Sequence, residues 1–74
     1  MVKYAIMKDT GEFITELTVG NKRFRVVDCI EKAMLYTNQW VANDTLTAMK
    51  FHFEHEIQHF RVVQVEIKYQ IKEL

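Results

Sequence analysis

Hydrophobic and polar residues alternate strictly along the last part of the chain. From residue 63 onward every second residue is apolar, which gives the set Val63, Val65, Ile67, Tyr69 and Ile71. The residues between them are polar and form the set Gln64, Glu66, Lys68, Gln70 and Lys72. Successive side chains of a strand point to opposite faces, and β-branched residues suit a pleated surface. The pattern therefore predicts a long strand that turns Val65 and Ile67 toward the core.

Two shorter alternating stretches near the start of the chain predict a β-hairpin. Val2–Lys8 is the first strand, and residues 13–19 resume the alternation as the second. The apolar side of the second strand carries Phe13, Leu17 and Val19. Residues 9–12 form the turn, where Gly11 can take a positive φ at no steric cost.

The middle of the chain is less uniform. After a second turn at Gly20-Asn21, Arg23–Val27 is a candidate third strand with one basic and one apolar side. Residues 28–36 fit two structures. Asp28 could cap a short helix that carries Ile30, Ala33 and Met34. Alternatively, residues 33–36 could extend the sheet, and propensity does not choose between the two.

A helix is predicted from Thr37 or Asn38, which are both good N-caps, to about His55. Its apolar residues recur at helical spacing and form one core-facing stripe of Ala42, Leu46, Met49, Phe53 and Ile57. Asn43-Asp44 is the point where the helix could break. The chain as a whole, residues 1–74, is thus predicted to be one small α+β domain. Its antiparallel sheet has three to four strands in the order ββ(β)αβ, and a single helix covers one face.

Composition narrows the classes of function. Ten basic and ten acidic side chains cancel, which disfavours a nucleic-acid partner. No apolar run approaches the ~20 residues of a membrane span, and the charged start of the chain is not a signal peptide. Cys29 is the only cysteine, so no internal disulfide can form, which fits a reducing, cytoplasmic setting. Nothing in the composition calls for a cofactor.

A resemblance rests on three segments, residues 4–14, 31–38 and 62–67. The first is written Tyr-Ala-Ile-Met-Lys-Asp-Thr-Gly-Glu-Phe-Ile, and the second steps through Ala33 and Tyr36 into the capped helix. In this order the chain resembles short uncharacterised proteins encoded by phages and prophages of Gram-positive bacteria. It departs from them in the helix, where it carries Trp40 and a histidine cluster instead of turns rich in Glu and Lys. The resemblance implies a small binder of host or phage proteins.

The segment His55-Glu56-Ile57-Gln58-His59 matches the H-E-x-x-H pattern of zinc peptidases. That chemistry needs both imidazoles on one helix, with the glutamate as general base. A strand is predicted from about Phe60, no third ligand follows at suitable spacing, and the chain is too short to wall a substrate cleft. We therefore predict no catalytic residues and no peptidase activity.

A weaker metal hypothesis uses all three histidines, His52, His55 and His59. They would share one face if the helix continued through them, and three imidazoles suit zinc, nickel or copper. The alternative, which the sequence favours, is that they are solvated residues beside the helix exit. A small metal-binding protein or minimal metal-dependent hydrolase is thus the second candidate function.

The basic run at residues 22–25 could touch phosphate, with Phe24 as a stacking ring. The balanced overall charge favours the alternative, a solvated strand with one core aromatic.

Trp40 and Phe51 are eleven residues apart and share a side of the helix that is turned away from the apolar stripe. Two large aromatics in that position predict a contact patch, because Trp is enriched at binding hot spots. The alternative is that Trp40 folds over the sheet edge and a kink at Asn43-Asp44 swings Phe51 into the core. On the first alternative the protein is a non-catalytic interaction module that binds a protein partner or forms a dimer.

Overall fold

The computed structural model describes residues 1–18, 23–53, 57–68 and 73. Its elements, in chain order, are β1 (Val2–Lys8), β2 (Phe13–Thr18), β3 (Arg23–Val27), a 3₁₀ turn (Ile30–Lys32), α1 (Gln39–His52) and β4 (Phe60–Glu66). The predicted turn at residues 20–21 and the predicted strand residues Val19, Tyr69 and Ile71 lie outside the described part of the chain.

The four strands form one sheet in the order β3-β2-β1-β4, and every neighbouring pair is antiparallel. The helix α1 packs on one face of this sheet. The predicted α+β class, with the third strand present and a single covering helix, is confirmed. Among the described helices, none is both long and apolar enough to span a membrane.

The predicted hairpin is confirmed at the turn between β1 and β2. The Lys8 amide donates to the Glu12 carbonyl at 2.7 Å, and the Gly11 amide donates to Lys8 at 2.9 Å. Gly11 has φ 91°, a conformation that glycine adopts without a side-chain clash. The two strands pair directly only near this turn, at Met7 and Phe13.

Beyond that point β1 and β2 diverge, and the segment that follows the 3₁₀ turn fills the space between them. The Met34 amide donates to the Ile14 carbonyl at 2.9 Å. Tyr36 exchanges two backbone hydrogen bonds with Tyr4, at 2.7 and 2.8 Å. Each of the two structures weighed for residues 28–36 is therefore present in part: one helical turn at Ile30–Lys32, and then a short bridge that completes the sheet.

The helix begins where the sequence predicts and ends earlier. Asn38 is the N-cap, and its side chain accepts a hydrogen bond from the Trp40 amide at 2.7 Å. The helix runs unbroken through Asn43-Asp44 and ends at His52, not near His55. Phe53, the C-cap, has already left helical geometry, at φ −129° and ψ 45°.

The core lies between α1 and the near face of the sheet, defined here by Ile6, Ile14, Phe24, Phe60 and Val62. All five residues of the predicted stripe are buried: Ala42, Leu46, Met49, Phe53 and Ile57. Only the first three lie on α1, whereas Phe53 and Ile57 reach the core from the segment that follows the helix. The Phe24 ring meets the rings of Phe53 and Phe60 edge-on, at centroid distances of 5.1 and 5.7 Å.

The predicted orientation of β4 is wrong. Ile6 lies directly opposite Val62, so both side chains point to the near face. Val65 and Ile67 follow Val62 by three and five residues, which are odd numbers. They therefore belong to the far face, the side away from α1, together with Ala5 and Val63. Both are half-buried there. The alternation itself is present, but the helix covers the opposite side.

The predicted side assignment of β2 is also wrong for Phe13. The pairing of β2 with β3 shifts register between Ile14 and Glu16. This bulge allows Ile14 and Leu17, three residues apart, to pack on the same core. Phe13, one residue before Ile14, consequently points to the far face.

Candidate interaction surface

The outer face of α1, the side opposite the core stripe, carries the two most exposed large apolar residues of the described chain. Trp40 is 77% exposed and Phe51 is 80% exposed. The alternative, in which Trp40 folds over the sheet edge and a kink at Asn43-Asp44 swings Phe51 into the core, is wrong, because both side chains are largely exposed and α1 is unbroken at that point. Large aromatic side chains are mostly buried in folded proteins, and several exposed on one face make that face a candidate interaction surface.

The two aromatics lie on one line along the helix. Eleven residues correspond to about 16 Å of axial rise and to a rotation of about 20° in projection. The residues between them on this face all have short side chains and are all exposed: Asn43, Asp44, Thr47 and Ala48. Trp40 and Phe51 therefore stand above a low central saddle.

The saddle is less polar than its composition indicates. The Thr47 hydroxyl donates to the Asn43 carbonyl of its own helix at 2.9 Å. A threonine bonded in this way has satisfied its donor and turns its methyl group to the surroundings. Asp44 is the one charged residue of the saddle.

The surroundings of each aromatic are open. Trp40 lines a shallow groove of about 270 Å³ together with Gln39 and Asn43. Val41, which is half exposed, extends the apolar surface beside Trp40. The Phe51 ring meets the His52 ring edge-on at 5.3 Å. In the described structure, neither aromatic belongs to the core cluster.

The histidines do not lie on one helix. His52 is the last residue of α1, whereas His59 lies in the turn immediately before β4. His59 Nδ1 is 3.4 Å from Asp9 Oδ2, and Arg61 donates to Asp9 Oδ1 at 2.7 Å. These three residues are exposed and join the end of β1 to the start of β4. His55 and Glu56 lie outside the described residues.

The condition for both metal hypotheses, a helix that continues through His59, is therefore not met, because residues 57–59 form a turn. Within the residues that the structure describes, no three His, Cys, Asp or Glu side chains are grouped closely enough to hold a metal ion.

The described part of the basic run at residues 22–25 agrees with a solvated strand that carries one core aromatic, and not with the phosphate-binding hypothesis. Phe24 is the core aromatic that contacts Phe53, so its ring is not free to stack on a base. Arg25 donates to Glu16 on the neighbouring strand at 3.2 Å. Lys22 lies outside the described residues.

A second apolar surface was not predicted from the sequence. An open groove of about 480 Å³ on the far face is lined mainly by Ile30, Leu35, Val65 and Ile67. Its lining includes Val65 of β4 and Ile67 directly after β4, the two residues that the sequence assigned to the core, together with the charged residues Glu31, Glu66 and Lys68. The strict alternation was the available signal, but it does not say which face the helix covers.

Compared with models of known protein families, with curated proteins and with solved structures, the chain matches none of them. The fold and the surface together define a small α+β domain that presents an exposed aromatic helix face. The resemblance to phage-encoded proteins stays a prediction.

Proposed function

We propose that this protein is a non-catalytic interaction module that binds a protein through the outer face of α1. The observation that carries the proposal is the exposure of Trp40 and Phe51 on a helix whose opposite face already supplies the core. Neither side chain is needed to cover the sheet, because Leu46, Met49 and their neighbours do that. The exposure of these two aromatic side chains is best explained by a contact with another molecule.

The apolar area of Trp40 and Phe51 is large enough to anchor a protein partner. Each aromatic can bury roughly 150–250 Å². At about 25 cal/mol per Å², the pair represents on the order of 10 kcal/mol of transfer free energy before the costs of association are subtracted. A few such residues supply most of the affinity in typical interfaces.

The partner that fits this surface is a protein with an apolar groove or helix. The saddle of short side chains lets a second helix approach the backbone of α1, and the aromatics at its two ends fix the register. The protein would act in the cytoplasm, which agrees with the free thiol of Cys29. If the chain is encoded by a phage or prophage, the partner would be a host or phage protein.

The test compares three immobilised proteins in an extract of the native host. Wild type should retain a partner, and the double variant Trp40→Ala/Phe51→Ala should lose it. The matched control is Leu35→Ala, which removes an exposed apolar side chain from the far-face groove. It should retain the same partner.

The double variant should also unfold within ~0.5 kcal/mol of wild type, because surface substitutions away from packed features change stability little. Equal retention by wild type and the double variant would contradict the proposal. Selective loss with Leu35→Ala would move the binding site to the far face.

A further inference from the structure

We propose that the occupant of the outer face of α1 is a second copy of this chain. The two helices pack antiparallel across a two-fold axis, so that Trp40 of each chain lies against the partner's Phe51. This inference rests on the binding surface assigned under the proposed function and names its partner. Two-fold pairs are the commonest assemblies of soluble proteins, and they require a surface that is complementary to itself.

The outer face meets that requirement because its residues are arranged symmetrically along the helix. The centre lies between positions 45 and 46. Trp40 and Phe51 are equidistant from this point, as are Asp44 and Thr47. Asn43 and Ala48 form a third equidistant pair. In an antiparallel two-fold pairing each residue faces the other member of its own pair, so aromatic meets aromatic and short side chain meets short side chain.

The centre of the face permits close packing. Helices pack with axes about 8–10 Å apart when the side chains at the crossing are small. Asp44 and Thr47 occupy the crossing, and the Thr47 hydroxyl is already bonded within its own helix. In this register Asp44 faces the partner's Thr47 instead of a second carboxylate, so like charges are not placed directly opposite each other. Antiparallel helix dipoles add a favourable term.

The area is of the right order for a modest dimer. Four aromatic side chains, two from each copy, bury roughly 600–1,000 Å² in total. Stable specific interfaces bury about 1,200–2,000 Å². The saddle residues and the half-exposed Val41 of both copies supply the remainder. The formal net charge of zero means that no overall repulsion opposes association.

Other surfaces of the described chain fit a second copy less well. The far-face groove is open, and its most exposed apolar residue, Leu35, is only 37% exposed. The strand β4 forms an edge of the sheet, but it carries exposed charges at Arg61 and Glu66, a feature that discourages edge pairing.

The first experiment uses Trp40 as its own probe, since it is the only tryptophan of the chain. Sedimentation equilibrium and fluorescence emission are measured together from about 1 µM to about 1 mM, the range expected of a small interface. Wild type should convert from monomer to dimer, and the Trp40 emission should shift to shorter wavelength over the same concentrations. Phe51→Ala should remain monomeric, with emission characteristic of exposed tryptophan throughout.

The second experiment tests the antiparallel register while it leaves both aromatics in place. Thr47→Lys puts a cation opposite the partner's Asp44 at two equivalent contacts, and Thr47→Glu puts an anion there. The lysine variant should associate roughly tenfold more tightly than the glutamate variant at low salt. A parallel pairing would set position 47 against itself, so both variants would place like charges opposite each other and both would associate more weakly than wild type.

Three outcomes would overturn the inference. One is a wild type that stays monomeric throughout the series. The second is a dimer that persists in Phe51→Ala with unchanged Trp40 emission. The third is equal association of the two Thr47 variants. A monomeric wild type that still loses an extract partner on removal of the aromatics would overturn only the second-copy assignment and leave the proposed function standing.

Discussion

The near face and the far face of the sheet both carry apolar side chains, but they differ in what covers them. On the near face α1 places Leu46 and Met49 over the strands, its C-cap Phe53 packs beside them, and Ile6 is fully buried. On the far face the short segment with Ile30 and Leu35 lies beside Val65 and Ile67, which stay half-buried around an open groove.

This difference explains why the alternation of β4, taken alone, predicts the wrong face for the core. The helix covers β4 only at its start, where Phe60 and Val62 pack into the core. Further along the near face β4 carries Gln64 and Glu66, which are exposed. The regular run of apolar residues from Val63 onward therefore marks the partly covered face, and the irregular start of the strand marks the core.

The largest expected change in the free energy of unfolding comes from substituting isoleucine by alanine, and the same substitution can be compared on the two faces. Ile6→Ala, on the near face, should lower the free energy of unfolding by about 3–4 kcal/mol, because it leaves a cavity in a packed core. Ile67→Ala, on the far face, should cost about 1 kcal/mol, because its side chain is already half exposed. Urea unfolding of both variants gives the two values. Equal losses would mean that the faces are covered equally well.

An intermediate loss of stability is expected when the N-cap of α1, the helix that covers the near face, is removed. This substitution changes no residue of the sheet itself. Asn38→Ala removes the side-chain oxygen that accepts the Trp40 amide and should destabilise the protein by about 1 kcal/mol. Thr37→Ala is the control, since Thr37 precedes the N-cap and should change stability by less than ~0.5 kcal/mol. Thermal unfolding followed by circular dichroism compares the two. A larger loss for Thr37→Ala would assign the cap to the wrong residue.

The smallest effect concerns Tyr36, whose side chain packs against the near-face core from the bridge between β1 and β2. Burial raises the pKa of the Tyr36 phenol above its ordinary value of 10.0, and a hydrogen bond with Thr45 lowers it in part. The folded state therefore favours the neutral phenol. Stability from this group is complete below the ordinary pKa and declines as the pH rises from about 10 toward the raised value.

Tyr36→Phe should remove this part of the alkaline loss while changing stability at pH 7 by less than ~1 kcal/mol. Urea midpoints of the variant and of wild type, measured between pH 7 and pH 11, provide the comparison. Superimposable pH profiles would show that the phenol ionises equally in the folded and unfolded states.

For the candidate surface, the sequence determined which residues lie off the core stripe, because eleven residues is close to a whole number of helical turns. That Trp40 and Phe51 are exposed was decided by the tertiary structure, in which α1 is unbroken and only its inner side meets the sheet. The helix on which the histidine hypotheses depend was likewise decided by the tertiary structure: α1 ends at His52, and β4 begins at Phe60.

The sequence by itself determined the elements whose signals are local. The hairpin followed from Gly11 between two alternating stretches, the helix start from the two candidate N-caps Thr37 and Asn38, and the core stripe from the spacing of Ala42, Leu46 and Met49. These depend on interactions within a few residues, which periodicity and capping report directly.

Only the tertiary structure decided the long-range pairings. The bulge in β2 selects Ile14 for the core, the register of Ile6 with Val62 assigns the faces of β4, and Tyr36 fills the space between β1 and β2. A one-residue change of register moves every side chain of a strand to the other face without altering its own alternation. The local pattern therefore shows that a strand has one apolar and one polar side. Which side is buried depends on the helix that packs on the sheet, and that helix is distant in sequence.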